Sequence, residues 1–221
     1  MSTDPGRTGR FITVEGPDGA GKTTNLDRME RIVRDAGFAV VRTREPGGTP
    51  LGDEIRNLVL HRDGPEIDAT AELLLIFAAR AQHLSSVIRP ALAAGNWVVC
   101  DRFTDATYAY QGGGRGVDST AIADLEQLVQ GDLRPDLTIL FDIDSATGAM
   151  RATGRDRFES EAGTFRDKVR RAYLSRARAE PERVRIVNAA RSLDQVGREV
   201  EAIMKRFISA PGLEPQRAGR S

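Results

Sequence analysis

Residues 16–23 read Gly-Pro-Asp-Gly-Ala-Gly-Lys-Thr and match the pattern G-x-x-x-x-G-K-T, in which x is any residue. The stretch follows the apolar run at 11–14 and opens a segment with helical periodicity. A glycine-rich loop in that setting can wrap its backbone N–H groups around phosphates, while Lys22 reaches the β and γ phosphates and the Thr23 hydroxyl suits Mg²⁺. The loop and the residue after it are therefore predicted to bind a nucleotide through Gly16, Pro17, Asp18, Gly19, Ala20, Gly21, Lys22, Thr23 and Thr24.

The composition limits both the size and the partners of the protein. A chain of 221 residues with 40% hydrophobic residues can bury one substantial α/β core, so we expect a single domain over 10–208 with flexible termini at 1–9 and 209–221. The 32 basic residues balance 32 acidic ones, and no global charge attracts a nucleic acid or an anionic membrane. The single cysteine, Cys100, excludes an intramolecular disulfide, sits in an apolar run that favours a buried thiol, and indicates a cytoplasmic protein.

Short β-branched runs alternate with longer helix-like segments along the chain. Strands separated by helices predict parallel βαβ units with right-handed crossovers, and the ligand of such a sheet lies beyond the carboxyl ends of its strands. The strands are predicted at 11–15, 38–43, 97–100, 137–142 and 184–188. The helices are predicted at 21–36, 51–60, 68–94, 119–130, 145–153, 161–179 and 192–207.

Three further segments carry residues that suit a ligand. Asp101 and Arg102 end the third strand, where a carboxylate can hold Mg²⁺ and an arginine can clamp phosphate, with a strand-end salt pair as the alternative. The segment 44–49, Arg-Glu-Pro-Gly-Gly-Thr, follows the second strand, although Pro-Gly-Gly would also suit a simple turn. The segment 108–116, Tyr-Ala-Tyr-Gln-Gly-Gly-Gly-Arg-Gly, has three consecutive glycines that would let backbone approach a ligand, with a plain flexible loop as the alternative.

These motifs, together with Asp-Arg-Phe-Glu at 156–159, resemble those of bacterial thymidylate kinase, in the same order and over about 10–207. The resemblance implies a P-loop kinase fold in the α/β class, with three layers, α/β/α, a five-stranded parallel core sheet and a short lid at about 153–162. It also implies ATP-dependent phosphorylation of dTMP to dTDP in dTTP synthesis, with ATP and Mg²⁺ bound and with two copies of the chain forming a homodimer.

The resemblance carries roles to individual side chains by position. Asp18 would accept a hydrogen bond from the 3′-hydroxyl of the acceptor, and Arg56 and Arg102 would bind the acceptor phosphate. Arg80 would reach the thymine edge, and Tyr110 would crowd the 2′ position and favour deoxyribose. The implied acceptor site comprises Asp18, Glu45, Pro46, Arg56, Phe77, Arg80, Arg102, Thr107, Tyr110 and Gln111, and the implied Mg²⁺ ligands are Thr23, Asp18 and Asp101.

One position departs from the family pattern. Many relatives carry an aromatic that stacks on thymine four residues before the arginine that matches Arg80, but here that position is Ile76 and Phe77 follows it. Residues three and four apart share one face of a helix, so Phe77 could stack on the base. A core role for Phe77 is equally compatible with the apolar run at 73–77.

The charged stretch at 155–159 suits a lid that closes over ATP phosphates, although alone it would suit a solvated surface. Gly19 stands where some relatives place an arginine, and relatives that lack it supply a catalytic arginine from the lid. The catalytic residues are therefore predicted to be Lys22, Arg102, Arg155 and Arg157.

Rival functions make different demands on these residues. A phosphate acceptor is itself largely dianionic at pH 7 and needs positive charge rather than a base, whereas a hydroxyl acceptor would need a base such as Asp101 or Glu15. A regulatory nucleotide switch shares the phosphate loop, but the chain lacks the Asn-Lys-x-Asp guanine motif. His61 and His83 make no metal-ligand spacing, and no role is assigned to them.

Overall fold

The computed structural model describes residues 9–61, 65–151 and 163–210. Its strands are β1 (Phe11–Glu15), β2 (Val40–Arg44), β3 (Trp97–Asp101), β4 (Leu137–Asp142) and β5 (Val184–Asn188). All pair in parallel in the order β2-β3-β1-β4-β5, which confirms the predicted parallel sheet. The predicted strand positions are correct to within two residues at each end.

The helices also follow the predicted order. They are α1 (Lys22–Asp35), α2 (Pro50–Leu60), α3 (Ala69–His83), α4 (Arg89–Ala93), α5 (Thr104–Thr107), α6 (Ser119–Gln130), α7 (Ser145–Arg151), α8 (Gly163–Ala179) and α9 (Leu193–Ile208). A π-helical turn at Leu84–Ile88 joins α3 to α4, so the helix predicted at 68–94 is continuous but contains one wider turn.

The glycine-rich segment is helical, which the sequence did not predict. Helix α5 continues as a π-helical segment over Tyr108–Gly114, and the three glycines lie at its end. A Cβ on Gly113 would lie 2.5 Å from the Cβ of Ala172, and a Cβ on Gly114 would lie 2.5 Å from the Phe165 ring. The last two glycines therefore let α8 pack closely against this segment, and the alternative of a plain flexible loop is wrong because the segment is helical.

Helices cover both faces of the sheet and bury its central strands, whose residues are mostly apolar. Every residue of β1 is buried, as are the first four of β3 and the first five of β4. On one face, Met29 of α1 and Val200 of α9 pack in one cluster with the inner strands. On the other face, Ile88 packs with Cys100, whose thiol is buried as predicted and has a raised pKa because burial disfavours the thiolate.

The parallel arrangement brings the polar strand ends to one edge. Val14 pairs with Asp101 and Arg44 also pairs with Asp101, so the ends of three neighbouring strands lie side by side. The phosphate loop at 16–23 leaves β1 at this same edge. Side chains that are distant in sequence therefore meet around the loop.

Within the described ranges, one continuous helix, Ala69–Ala93, is long and apolar enough to cross a membrane by length and composition. Half of its most apolar window is buried inside the protein, and Leu73 and Phe77 belong to the core. A core helix passes the same test, so this composition is weak evidence for a membrane span.

Candidate active site

The phosphate loop depends on a glycine at its first position. Gly16 has φ +131°, and a Cβ there would lie 2.4 Å from the carbonyl oxygen of Phe141 on β4. At the other end, the Lys22 ammonium donates to the carbonyl oxygens of Gly16 (3.0 Å) and Pro17 (2.9 Å). Burial lowers the pKa of Lys22, and the nearby Arg102 charge lowers it further. The loop is thus closed around a buried amine.

Asp18 and Arg102 form the central charge pair of the site. Arg102 Nη2 donates to Asp18 Oδ1 at 2.5 Å, and the Tyr110 hydroxyl donates to Asp18 Oδ2 at 3.3 Å. Burial raises the pKa of Asp18, but the positive charges of Arg102 and Lys22 outweigh it and lower that pKa to about 2. The carboxylate therefore points towards cations and a hydroxyl donor, as its place in an anion-binding loop requires.

A cavity of about 80 Å³, called the inner cavity below, collects most of the predicted acceptor residues. It extends from the phosphate loop to the helices α3 and α5. Nine of the ten predicted residues line it, namely Asp18, Glu45, Pro46, Arg56, Arg80, Arg102, Thr107, Tyr110 and Gln111. The resemblance therefore selected side chains that share one cavity.

The tenth residue, Phe77, does not line the inner cavity. Its ring is 2% exposed and packs with Leu73 and Ile122, whereas Ile76 lines the cavity. Consecutive helical residues point about 100° apart, and α3 turns Ile76 inward and Phe77 into the core. The structure thus favours the core role for Phe77 over the stacking role.

Arg80 is held rigidly although it is almost fully buried. Its Nε donates to Glu45 Oε2 at 2.7 Å and its Nη2 donates to Thr107 Oγ1 at 3.0 Å, while the guanidinium lies 4.9 Å from the Phe77 ring and 5.0 Å from the Phe103 ring. Its remaining nitrogen, Nη1, is buried and has no hydrogen-bond partner among the described residues. Arg80 therefore has an unused donor and lines a cavity into which a base could fit.

Sequence reasoning missed the role of His83 in this network. His83 is fully buried, and its ring nitrogens lie 2.9 Å from Glu45 Oε1 and 2.6 Å from Thr43 Oγ1. It thus fixes the second oxygen of the carboxylate that holds Arg80. In the sequence, His83 has no metal-ligand spacing that would indicate a role. Only the folded chain places Thr43 and Glu45 beside it.

A larger cavity of about 320 Å³, called the outer cavity below, opens beside the phosphate loop. Its lining contains the loop residues Gly19, Gly21, Lys22 and Thr23, and it shares Asp18, Glu45, Arg56 and Arg102 with the inner cavity. Arg44 and Arg151 also line it. Sequence reasoning missed Arg151, which lies at the end of α7 and donates to the carbonyl oxygen of Ala189 at 2.7 Å.

The oxygen atoms at the outer cavity fit Mg²⁺. Asp101 Oδ1 is buried and finds no hydrogen-bond partner within the part of the chain that the structure describes. Asp101, Asp18 and Thr23 all line this cavity. The described ranges contain no group of three or more His, Cys, Asp or Glu residues that could hold a metal. Mg²⁺ commonly uses one or two protein oxygens and keeps waters and substrate phosphates as its other ligands, so this sparse set is suitable.

The predicted lid arginines, Arg155 and Arg157, lie outside the described residues.

Comparison with known proteins agrees with this geometry. A family model described as thymidylate kinase matches residues 14–200. The chain belongs to the thymidylate kinase family. Thymidylate kinases of Pseudomonas syringae pv. tomato and Pseudomonas putida strain F1 are each 56% identical to it over 204 residues, which cover 91% of this chain and 97% of theirs. A crystal structure of thymidylate kinase from Ehrlichia chaffeensis has a TM-score of 0.72 at 35% identity, covering 89% of this chain and 98% of that one.

Membership confirms the family and the fold that the motifs predicted. The five-stranded parallel sheet with helices on both faces is the P-loop kinase fold. The reaction of the thymidylate kinase family is the ATP-dependent phosphorylation of dTMP to dTDP. The outer cavity contains the phosphate loop, and the inner cavity adjoins it, as a reaction between two bound nucleotides requires.

Glu15, considered as a base for a hydroxyl acceptor, has a different environment. It is fully buried, lines neither cavity, and accepts hydrogen bonds from the Phe103 backbone N–H at 2.7 Å and the Tyr173 hydroxyl at 2.9 Å. Burial, and then the negative charge of Asp105, raises the pKa of Glu15 to about 8, although Arg102 opposes this shift. Glu15 therefore holds the Phe103 backbone and the Tyr173 hydroxyl in place and does not contact a substrate.

The raised pKa of Glu15 predicts how stability depends on pH. Below pH 4.5 the Glu15 carboxyl is protonated in both the folded and the unfolded protein. Between pH 4.5 and about 8 it ionises in the unfolded chain but stays protonated in the folded protein. The free energy of unfolding of the wild-type protein therefore falls as pH rises through this range. We expect Glu15→Gln to remove this contribution, whose slope is at most about 1.4 kcal/mol per pH unit. Urea denaturation from pH 5 to 8 measures the slope, with the exposed Glu182→Gln as control. Equal slopes for wild type and Glu15→Gln would contradict the assignment.

Proposed function

We propose that this chain transfers the γ-phosphoryl group of ATP to dTMP, with ATP in the outer cavity and dTMP in the inner cavity. The observation that carries the proposal is the set of residues shared by the two cavities. Asp18, Glu45, Arg56 and Arg102 line both, so two guanidinium groups lie where the two ligands would meet, together with two carboxylates that can orient them. Phosphoryl transfer between two anions needs such charge and accurate positioning.

The acceptor phosphate supplies its own nucleophile. With a second pKa near 6, a phosphate monoester is mostly dianionic at pH 7, and its oxygen attacks the γ phosphorus without a general base. The bond between the γ phosphorus and the bridging oxygen breaks, and the electron pair leaves with ADP. Arg56 and Arg102 hold the acceptor phosphate, and Lys22 stabilises charge on the transferred group.

Asp18 and Tyr110 position the sugar in this proposal. Asp18 accepts a hydrogen bond from the 3′-hydroxyl of the acceptor while it keeps Arg102 in place, which the 2.5 Å contact supports. Tyr110 donates to the same carboxylate, so its ring is fixed and crowds the 2′ position. A deoxyribose is accommodated and a ribose is disfavoured.

Mg²⁺ would be held at the outer cavity by Thr23, Asp18 and Asp101, through oxygen atoms or through water. When bound, the ion neutralises charge on the β and γ phosphates. The buried, unpaired Asp101 Oδ1 is the feature of the structure that supports this assignment.

The inner cavity would read the base edge. Arg80 offers its unpaired Nη1 to a carbonyl oxygen of thymine, and Thr107 and Gln111 line the same cavity. Ile76 supplies the apolar wall that an aromatic provides in many relatives. Phe77 acts on the base only indirectly, because its ring packs against Arg80.

We also propose that residues 10–208 form one catalytic domain that works in the cytoplasm, in dTTP synthesis, and binds neither nucleic acid nor membrane. The balanced charge of the chain and its buried free cysteine support this. A measured affinity for DNA or for anionic vesicles at physiological salt would contradict it.

The lid arginines are expected to contribute to the rate and not to the fold. In the phosphate loop, Gly19 supplies no charge, so Arg155 and Arg157 would complete the positive surface around the transferred group. We expect Arg157→Ala to lower kcat at least tenfold with the melting temperature unchanged. Steady-state kinetics with saturating ATP and dTMP measures this, and an unchanged kcat would exclude the lid role.

A homodimer is expected from the resemblance to bacterial thymidylate kinase, and exposed leucines on three helices are candidates for its interface. Leu58 on α2, Leu74 on α3 and Leu128 on α6 are 41%, 51% and 80% exposed, and α3 packs against both α2 and α6. Such exposed apolar groups are typical of an interaction surface. Sedimentation equilibrium should give twice the mass of one chain, and Leu74→Glu should shift the protein towards monomer. A monomeric wild-type protein at all concentrations would contradict the dimer.

The activity itself is tested with a panel of acceptors, ATP and Mg²⁺, scored by release of ADP. We expect ADP release to depend on dTMP and to be much slower with dCMP, AMP or water as acceptor. Removal of Mg²⁺ by a chelator should abolish turnover. ADP release without any acceptor would favour a nucleotide switch, and preference for a hydroxyl substrate or another nucleotide would refute the proposal.

A further inference from the structure

Glu72 has no place in the mechanism above, yet it is a fully buried carboxylate next to the inner cavity. It lies in the first turn of α3, where the positive end of the helix dipole favours a negative charge. Glu72 Oε1 accepts a hydrogen bond of 2.8 Å from the side-chain amide of Gln111. Arg115 Nε lies 3.7 Å from the other oxygen, Oε2. A buried charge with these neighbours is expensive to keep unless it performs a task.

The contact with Glu72 decides which end of the Gln111 amide faces the cavity. The Gln111 amide turns its NH₂ group towards Glu72, whose oxygen Oε1 accepts the hydrogen bond. The carbonyl oxygen, Oε1, is then the free end of the side chain. Among the described residues, no donor lies within hydrogen-bonding distance of Gln111 Oε1, although Gln111 is 3% exposed and lines the inner cavity.

We infer that Glu72 is a specificity-determining positioning residue, because it fixes Gln111 so that a hydrogen-bond acceptor faces the pyrimidine base. This inference rests on the proposed function, in which the inner cavity binds dTMP. A thymine ring carries a donor, N3–H, next to an acceptor, O4. Cytosine reverses both groups, with an acceptor at N3 and an amino donor at C4.

The same cavity wall supplies the complementary second group. Arg80 has only donors, and its orientation is fixed by Glu45, another buried carboxylate. Arg80 and Gln111 thus present a donor and an acceptor, the pattern that matches a thymine or uracil edge. A base with the reversed pattern would leave buried polar groups unpaired, which rejects a ligand far more strongly than a missing methyl group does.

The test changes Glu72 to its isosteric amide. In Glu72→Gln the partner can donate as well as accept, so Gln111 can turn over and offer its NH₂ group to the base. The probes are dTMP, dUMP and 5-methyl-dCMP. The last keeps the methyl group of thymine and differs only at N3 and C4, whereas dUMP keeps the edge and lacks the methyl group.

We expect the ratio of Ki for 5-methyl-dCMP to KM for dTMP to fall at least tenfold in Glu72→Gln. The preference for dTMP over dUMP should stay within twofold of wild type, because both share one edge. KM for ATP should also be unchanged. Partial unfolding would instead change the 5-methyl-dCMP ratio, the preference for dTMP over dUMP and KM for ATP together. The matched control is Glu66→Gln, an exposed acid that contacts the same Arg115 at 3.1 Å but not Gln111.

A second variant keeps the inference testable if Glu72→Gln folds poorly. Gln111→Ala should lower the same ratio by itself, and adding Glu72→Gln to it should change the ratio no further. A wild-type ratio in either single variant would overturn the inference. If wild-type protein fails to phosphorylate dTMP, the proposed function is wrong; if it succeeds and the ratio does not move, only the role of Glu72 is wrong.

Discussion

The pair of Asp18 and Arg102 connects the parts of the molecule that must act together. Asp18 belongs to the phosphate loop after β1, and Arg102 follows β3, the neighbouring strand. Arg102 adopts a left-handed backbone with φ +69°, and its N–H donates to the Val14 carbonyl at 2.8 Å, which ties this unfavourable conformation to the sheet. Through its Nη1, Arg102 reaches the Tyr173 hydroxyl at 3.2 Å. The guanidinium of Arg102 therefore links the loop to α8, and its backbone N–H links the residue after β3 to β1.

Buried carboxylates recur around the inner cavity, and each of them orients a neighbouring polar group. Glu45 holds Arg80, and Glu72 holds Gln111. Removing such a charge from water is costly, and the cost is offset only where good hydrogen-bond partners surround it. The fold thus retains charge in its interior where the position of a substrate-facing group depends on it.

The sequence predicted the sheet well because its central strands are covered on both faces and read as continuous apolar runs. The family motifs preserve the order of the predicted acceptor residues, and nine of the ten line one cavity. The sequence-based prediction failed where the role of a residue depends on contacts between elements that are distant in the chain. The contact between Gly113 and Ala172 spans 59 residues, and no local pattern separates a glycine needed for packing from one needed by a ligand.

The sequence left the choice between Ile76 and Phe77 open for a related reason. Both lie in one apolar run, and only the rotation of α3 within the fold decides which of them faces the cavity. His83 and Arg151 were missed because their partners lie in other elements, and an isolated histidine or arginine gives no signal by itself. The sequence alone therefore did not show how elements that are distant in the chain pack against one another.

Two arginines, one in each cavity, differ in how firmly they are held. Arg80 in the inner cavity has a side chain 1% exposed and bonds to Glu45 and Thr107, whereas Arg44 at the outer cavity has a side chain 54% exposed and bonds to an exposed acid. A base is recognised by fixed donors and acceptors, because a group that can turn over pairs with the wrong edge as well as the right one. In the proposed site the phosphates of ATP offer many equivalent oxygens, so a solvated cation such as Arg44 can serve them beside the fixed ammonium of Lys22. A buried, fixed guanidinium at the base edge would therefore contribute selectivity that a solvated arginine at the phosphates does not need to supply.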